Sequence, residues 1–440
     1  MNKPSKYAIP RAAALTLALL LAVAPAGAAA QDALARQRLQ AAADGDVASL
    51  AAALPQLPAP WDMLAQARLA AGRLDEARAI ALAEAFLAGT VPTPCDAALA
   101  QSIIADAAFA SARYARAASA AQARAQILTQ CHAAADEIEG ATTMAGLAQR
   151  LSAVPPPHVA AFSPVAVHFV RDKAGLARTP VTINGQPQEA VLDTGANVSV
   201  VSASTAKRLG LKPLGNAGVG TSSRQTISTG VAVADRLELA GLVLEHVAFL
   251  VLDDAQLEMP LPGGYRIDAI VGFPVFRAMQ RVRFGHDGTL TPEPGMRTAG
   301  RPNLALAGSD LFVEARVGGV AVPLHLDSGG SASALSPRFA ESHPQLLQGL
   351  PRERQRLAGA GGATERSVAN WPQVRVEVGE RSTVLANLAV ALADSDDVRM
   401  RTQGVLGGDV LNAFDSWTLD FDAMRLELGA PLPAAAAAAH

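Results

Sequence analysis

Two short runs carry the strongest chemical signal in the chain: Val191-Leu192-Asp193-Thr194-Gly195-Ala196 and His325-Leu326-Asp327-Ser328-Gly329-Gly330. In each, an Asp ends an apolar run and is followed by a hydroxyl residue and a glycine. Two carboxylates held about 3 Å apart cannot both ionise cheaply, so they share one proton. The ionised member can take a proton from water while the protonated member polarises a carbonyl. That division of labour splits an amide with no metal and no covalent intermediate. Thr194 and Ser328 supply hydroxyls that can tie the two loops together. Gly195 and Gly329 leave room for backbone to approach the opposite carboxylate.

The surroundings of the two runs match. A glycine turn lies eight residues before each Asp, at Asn184-Gly185 and Gly318-Gly319. An apolar-apolar-Gly element follows, Ile270-Val271-Gly272 at 79 residues and Val405-Leu406-Gly407 at 80. The two Asp residues are 134 positions apart. Solenoid periods run to roughly 20–50 residues, so this spacing reads as a duplicated domain. A single Asp-Thr-Gly is common as a turn or helix cap; the doubled context separates these two from that background.

Residues 165–290 and 305–429 resemble the retropepsin-like aspartic proteases, including bacterial exported members. The resemblance implies two β-barrel lobes forming a pepsin-like pseudodimer, with Asp193 and Asp327 catalytic and Thr194, Gly195, Ser328 and Gly329 supporting them. Residues 206–211, Ala-Lys-Arg-Leu-Gly-Leu, match the short helix that follows the first motif, and Ser336 to Glu341 takes that place in the second half. Flap hairpins are expected at 218–229 and 358–366, with Gly218, Gly220, Thr221, Gly359, Gly361 and Gly362 against substrate. The tyrosines are Tyr7, Tyr114 and Tyr265, so neither flap has a pepsin-type tyrosine. Family members with one motif must dimerise. This chain has two, so its cleft is expected between its own halves, with no homodimer required. His325, two residues before Asp327 on a strand, shares its face. Because Val191 takes the matching place, His325 is read as a packed or solvated strand residue, the alternative being that it tunes the carboxyl pair or touches substrate.

The elements around these motifs fall into distinct regions. Lys3, Lys6 and Arg11 precede an apolar stretch, Ala12 to Val23, and small residues Ala28 to Ala30. Residues 1–30 read as a secretory signal peptide, an uncleaved anchor being the alternative. No later stretch is apolar enough to span a bilayer, so a periplasmic or secreted protein is expected. Residues 31–152 are rich in helix formers, with apolar spacing such as Leu64, Ala67, Ala71 and Leu74. Gly72-Arg73-Leu74-Asp75-Glu76-Ala77 resembles a tetratricopeptide hairpin turn and is echoed at Ala112 to Ala117. The offset is 40, against about 34 for that repeat. This α-helical domain could bind a protein partner or serve only in packing. Cys95 and Cys131 most simply form one disulfide there, with two buried thiols as the alternative.

Pro155 to Pro157 read as a linker. Valine- and leucine-rich segments at 190–192, 243–252, 324–326 and 384–392 then alternate with turns, as strands do. A second linker runs from Pro292 to Pro302. The expected organisation is lobe 1 at 163–292, lobe 2 at 303–430 and a flexible tail at 431–440, a multidomain α plus all-β chain. The net charge is −3 over 440 residues, which excludes a basic nucleic-acid field. The eight histidines lack ligand spacing. Asp253-Asp254 and Asp394, Asp396 and Asp397 lack the pattern of a calcium loop. No nucleophile elbow or phosphate loop appears. No metal or cofactor is expected. The reading is an exported aspartic endopeptidase acting on peptides or proteins. The alternative is a non-catalytic envelope peptide-binding or scaffold protein on the same fold.

Overall fold

The computed structural model describes residues 26–433 except 90, 221–225, 260, 262, 298, 360–361 and 393–400. The expected signal therefore lies largely outside the described residues, as do Thr221, Gly361 and the alanine tract from 434. None of the described helices is long and apolar enough to cross a membrane.

The N-terminal region is an array of helices: α1 (Ala26–Ala43), α2 (Val47–Ala53), α3 (Trp61–Gly72), α4 (Glu76–Ala88), α5 (Ala97–Ala110), α6 (Tyr114–Gln130) and α7 (Ala135–Leu151). Four of the connections between them share one device. Gly45, Leu74, Ala112 and His132 adopt positive φ. One residue later, the backbone N–H of Asp46, Asp75, Arg113 and Ala133 reaches back to the carbonyl of Ala41, Ala70, Ala108 and Leu128. This satisfies the orphan carbonyls at a helix end and reverses the chain. Asp46 and Asp75 then cap the next helix, accepting from the N–H of Ser49 and Arg78. Small alanines let the helices approach closely around Trp61 and Phe86, both fully buried. Arg68 is buried and paired with Asp106 at 2.7 Å. The Cys95–Cys131 disulfide ties the start of α5 to the end of α6.

Residues 152–157 connect α7 to the first strand, His158–Phe162. Each half that follows starts from a hairpin with a two-residue turn. Asn184-Gly185 has φ of 50° and 74°, and Gly318-Gly319 has 57° and 85°. Both central positions need positive φ, so Asn and Gly specify the turn and hence the register of the strand leading to the Asp. In lobe 1, Ala269–Gly272 inserts between Gln186–Asp193, parallel, and Ser199–Ser202, antiparallel. In lobe 2, Gly404–Leu406 inserts likewise between Val320–Leu326 and Ala334–Leu335. The lobes carry a nine- and an eight-stranded sheet.

A five-stranded sheet joins them. Its order is Val167–His168, Thr289–Pro292, Arg281–Gly285, Ser416–Asp420 and Arg425–Leu428, so both halves contribute. Phe284 stacks on Trp417 across the join at 3.9 Å between ring centroids. One continuous apolar core runs through both lobes and this sheet. Pro431 pairs with Phe414 and the Leu432 N–H donates to Ala413, which pins the chain up to there.

Candidate active site

Asp193 ends its strand and Asp327 directly follows its own, at the point where each inserted strand also ends. Gly272 is the register partner of Asp193, and the Asp327 N–H donates to Leu406. Strand ends therefore aim both carboxyls into the space between the lobes. Hydroxyls lock the two loops reciprocally. Thr194 Oγ1 donates to the Leu326 carbonyl at 2.9 Å and accepts from the Ser328 N–H at 2.9 Å. Ser328 Oγ donates to the Leu192 carbonyl at 3.2 Å and accepts from the Thr194 N–H at 3.0 Å. Each hydroxyl satisfies a carbonyl and an amide of the opposite lobe, which the strand termini leave unpaired.

The glycines of both motifs are required by space. A Cβ at Gly329 would lie 2.3 Å from the Asp193 Cγ, and one at Gly195 would lie 2.8 Å from the Asp327 Cγ. Each glycine thus seats the opposite carboxyl. Behind the loops, a Cβ at Gly272 or Gly407 would lie 2.3 Å or 2.7 Å from backbone atoms of Ala196 or Ala332.

The two carboxyls lie close enough to act on each other's ionisation. Burial, and then the charge of Asp327, push Asp193 up to about 7. Burial likewise raises Asp327. The surroundings are unequal. Asp193 receives one backbone N–H, from Gly195 at 2.8 Å. Asp327 is favoured in its charged form by the N–H groups of Gly329 and Gly330 as well as by Asp193. The two carboxyls therefore sit in unequal surroundings, and a shared proton belongs to the pair.

The sequence reading missed a second matched pair. Ser199 Oγ accepts from the Gly272 N–H at 3.1 Å, and Ser333 Oγ accepts from the Gly407 N–H at 2.9 Å. Both serines sit six residues after their Asp, a signal present in the repeat. Asn197 also reaches across the lobes to Asp310 at 3.2 Å. His325 is half-buried beside Phe312, and its Nε2 has no hydrogen-bond partner. Of the expected flap residues, Gly218 and Gly220 lie on Lys212–Gly220, which pairs with Thr226–Leu239. Gly359 and Gly362 face each other where Arg352–Gly359 meets Gly362–Val378. The Cys95–Cys131 disulfide belongs to the helical region, apart from the carboxyls. Among the described residues, no group of three His, Cys, Asp or Glu side chains is arranged to hold a metal ion.

Comparison with known proteins gives the same division of the chain. The family model described as aspartyl protease matches twice, at residues 179–275 and 313–410. A similar solved structure is a retropepsin-like aspartic protease from Rickettsia conorii, 15% identical, covering 31% of this chain and 92% of that one, with a TM-score of 0.21. No curated protein matches the chain. The two matched segments hold both Asp motifs, both inserted strands and both Gly-containing turns, so each half of the chain carries a segment similar to the aspartyl protease family.

Proposed function

We propose that this chain is an exported aspartic endopeptidase that hydrolyses peptide bonds between its own two lobes. The observation that carries the reading is the pair of facing carboxyls, each seated against the opposite motif glycine and fixed by reciprocal hydroxyl ties from the opposite lobe. Asp327, ionised, takes a proton from water as that water attacks the scissile carbonyl. Asp193, protonated, polarises the carbonyl oxygen and stabilises the charge that develops there. Collapse of the tetrahedral intermediate returns a proton to the leaving nitrogen. Because both carboxyls come from one chain, a homodimer is not required. Export to the periplasm or beyond is supported by the basic-apolar-small pattern of residues 1–30 and by the disulfide.

The test is incubation of the purified chain with a diverse peptide mixture at acidic and neutral pH, read by mass spectrometry. Cleavage that disappears in both Asp193→Asn and Asp327→Asn supports the proposal. Saturable peptide binding with no products would instead make the cleft a binding module.

A further inference from the structure

The two lobes are related by duplication, yet their walls beside the carboxyls differ in exposure. On lobe 1 a row of side chains crosses four adjacent strands. Val191 pairs with Ile270, Ile270 with Val200, and Val200 with Leu250. Register partners share a face, and Val191 shares the face of Asp193, two residues on. The row is therefore the apolar wall next to the Asp193 carboxyl. It is buried: 1%, 5%, 8% and 8% exposed in that order. The matching row of lobe 2 is His325, Val405, Ala334 and Ala389. All four of these are half-exposed.

The lobe 1 row extends onto the flap hairpin, since Leu250 pairs with Val231 and Val231 with Gly215. On the face where a Cβ of Gly215 would point lies the guanidinium of Arg150, 3.6 Å away, in the last turn of α7. Arg150 also donates to the Asn216 carbonyl at 3.2 Å. Leu147 and Leu151 of α7 pack into the same apolar cluster as Val191, Val200, Leu250 and Ile270. The other end of α7 is tied to lobe 2, where Arg401 pairs with Asp136 at 2.8 Å and Glu137 at 3.4 Å. Arg401 leads into the inserted strand Gly404–Leu406 that carries Val405. Thus one 17-residue helix, about 25 Å long, is anchored on both lobes and lies on the carboxyl-bearing face of lobe 1. Lobe 2 has its own flap hairpin, yet its row stays half-exposed, so a flap alone does not bury such a row.

We infer that α7 is a built-in occluding strap: it fills the apolar subsites of lobe 1 that an extended peptide would take beside Asp193, and holds the chain latent until displaced. This rests on the peptidase reading above. The Arg401 pairs are half-exposed to exposed and act as the releasable latch. The Leu147 and Leu151 contacts supply the plug.

The test uses the full chain and a statine-type hexapeptide, a mimic of the tetrahedral intermediate, titrated by calorimetry alongside peptide cleavage. Arg401→Glu removes a latch worth about 1 kcal/mol, so binding tightens and kcat/KM rises about fivefold. Adding Asp136→Arg and Glu137→Arg restores the latch with reversed charge, and both readouts return toward the parent. Leu147→Asp with Leu151→Asp exceeds tenfold. Circular dichroism checks the helical region, and where it is lost the Arg401 series decides. Unchanged affinity across the Arg401 series overturns the strap, even if the parent cleaves peptides. Tighter binding without cleavage in any variant keeps the strap and overturns the peptidase.

Discussion

Replacing Thr194 by Val tests whether the hydroxyl ties fix the site. Val has nearly the shape of Thr, so the change removes an oxygen without opening a cavity. Thr194 is 1% exposed, so water does not readily take the place of its oxygen. The Ser328 N–H and the Leu326 carbonyl both lose their partner. An unsatisfied buried polar group costs about 1–3 kcal/mol, which gives a total of about 2–6 kcal/mol for the two. Ser328→Ala removes the mirrored ties, to the Thr194 N–H and the Leu192 carbonyl. Ser328 is partly exposed, so water can replace its oxygen and the loss falls to about 1 kcal/mol. The assay is hydrogen exchange by mass spectrometry over residues 190–197 and 324–332, with kcat/KM alongside. Thr194→Val should speed exchange at the Ser328 amide by at least tenfold and lower activity more than Ser328→Ala does. Equal effects, or a larger effect of Ser328→Ala, would refute the reasoning.

Five further outcomes follow. Gly329→Ala places a methyl 2.3 Å from the Asp193 Cγ, so kcat should fall more than a hundredfold. Gly330→Ala meets only the Asp327 Oδ2 at 3.0 Å, and lobe 1 already has Ala196 there, so kinetics should show a loss of a few-fold at most. Asp193 holds its proton to about pH 7 in the folded chain but only to about pH 4 unfolded. The folded state then binds more protons between these values, and stability falls as pH rises through that window. Asp193→Asn removes this slope, so its melting temperature should exceed the parent's by more at pH 7 than at pH 4. A kcat/KM profile of the parent should decline above pH 7 as the shared proton is lost. Finally, Cys95→Ser with Cys131→Ser opens a crosslink spanning 36 residues. A loop of that length is worth about 4 kcal/mol, which calorimetry should show as lower stability of the helical region.

The site was legible in the sequence because its specification is local. The Asn184-Gly185 and Gly318-Gly319 turns set strand register by their own conformational preference. The Asp, hydroxyl and Gly follow consecutively, so one short pattern names the whole loop. The Ser199 and Ser333 ties obeyed the same repeat, but a serine among small and apolar residues carries no chemical mark. The five-stranded joining sheet was not legible at all. Its central pair, Arg281–Gly285 with Ser416–Asp420, forms only after both lobes exist, and neither strand encodes its partner. The same holds for α7. Its residues fall in the stretch of helix formers at 31–152, while its seat depends on Arg401 and Asn216, far along the chain. His325 could be placed on the Asp327 face by counting two residues, but its neighbour Phe312 comes from register across the hairpin.

The central claim is one intramolecular carboxyl pair that cuts peptides. Its most direct test is peptide cleavage by Asp193→Asn, Asp327→Asn and an equimolar mixture of the two, on both the parent and the Arg401→Glu background. Cleavage by the parent chain, with none by either variant or by the mixture, is the predicted result. Cleavage retained by one variant, or restored on mixing, would contradict it.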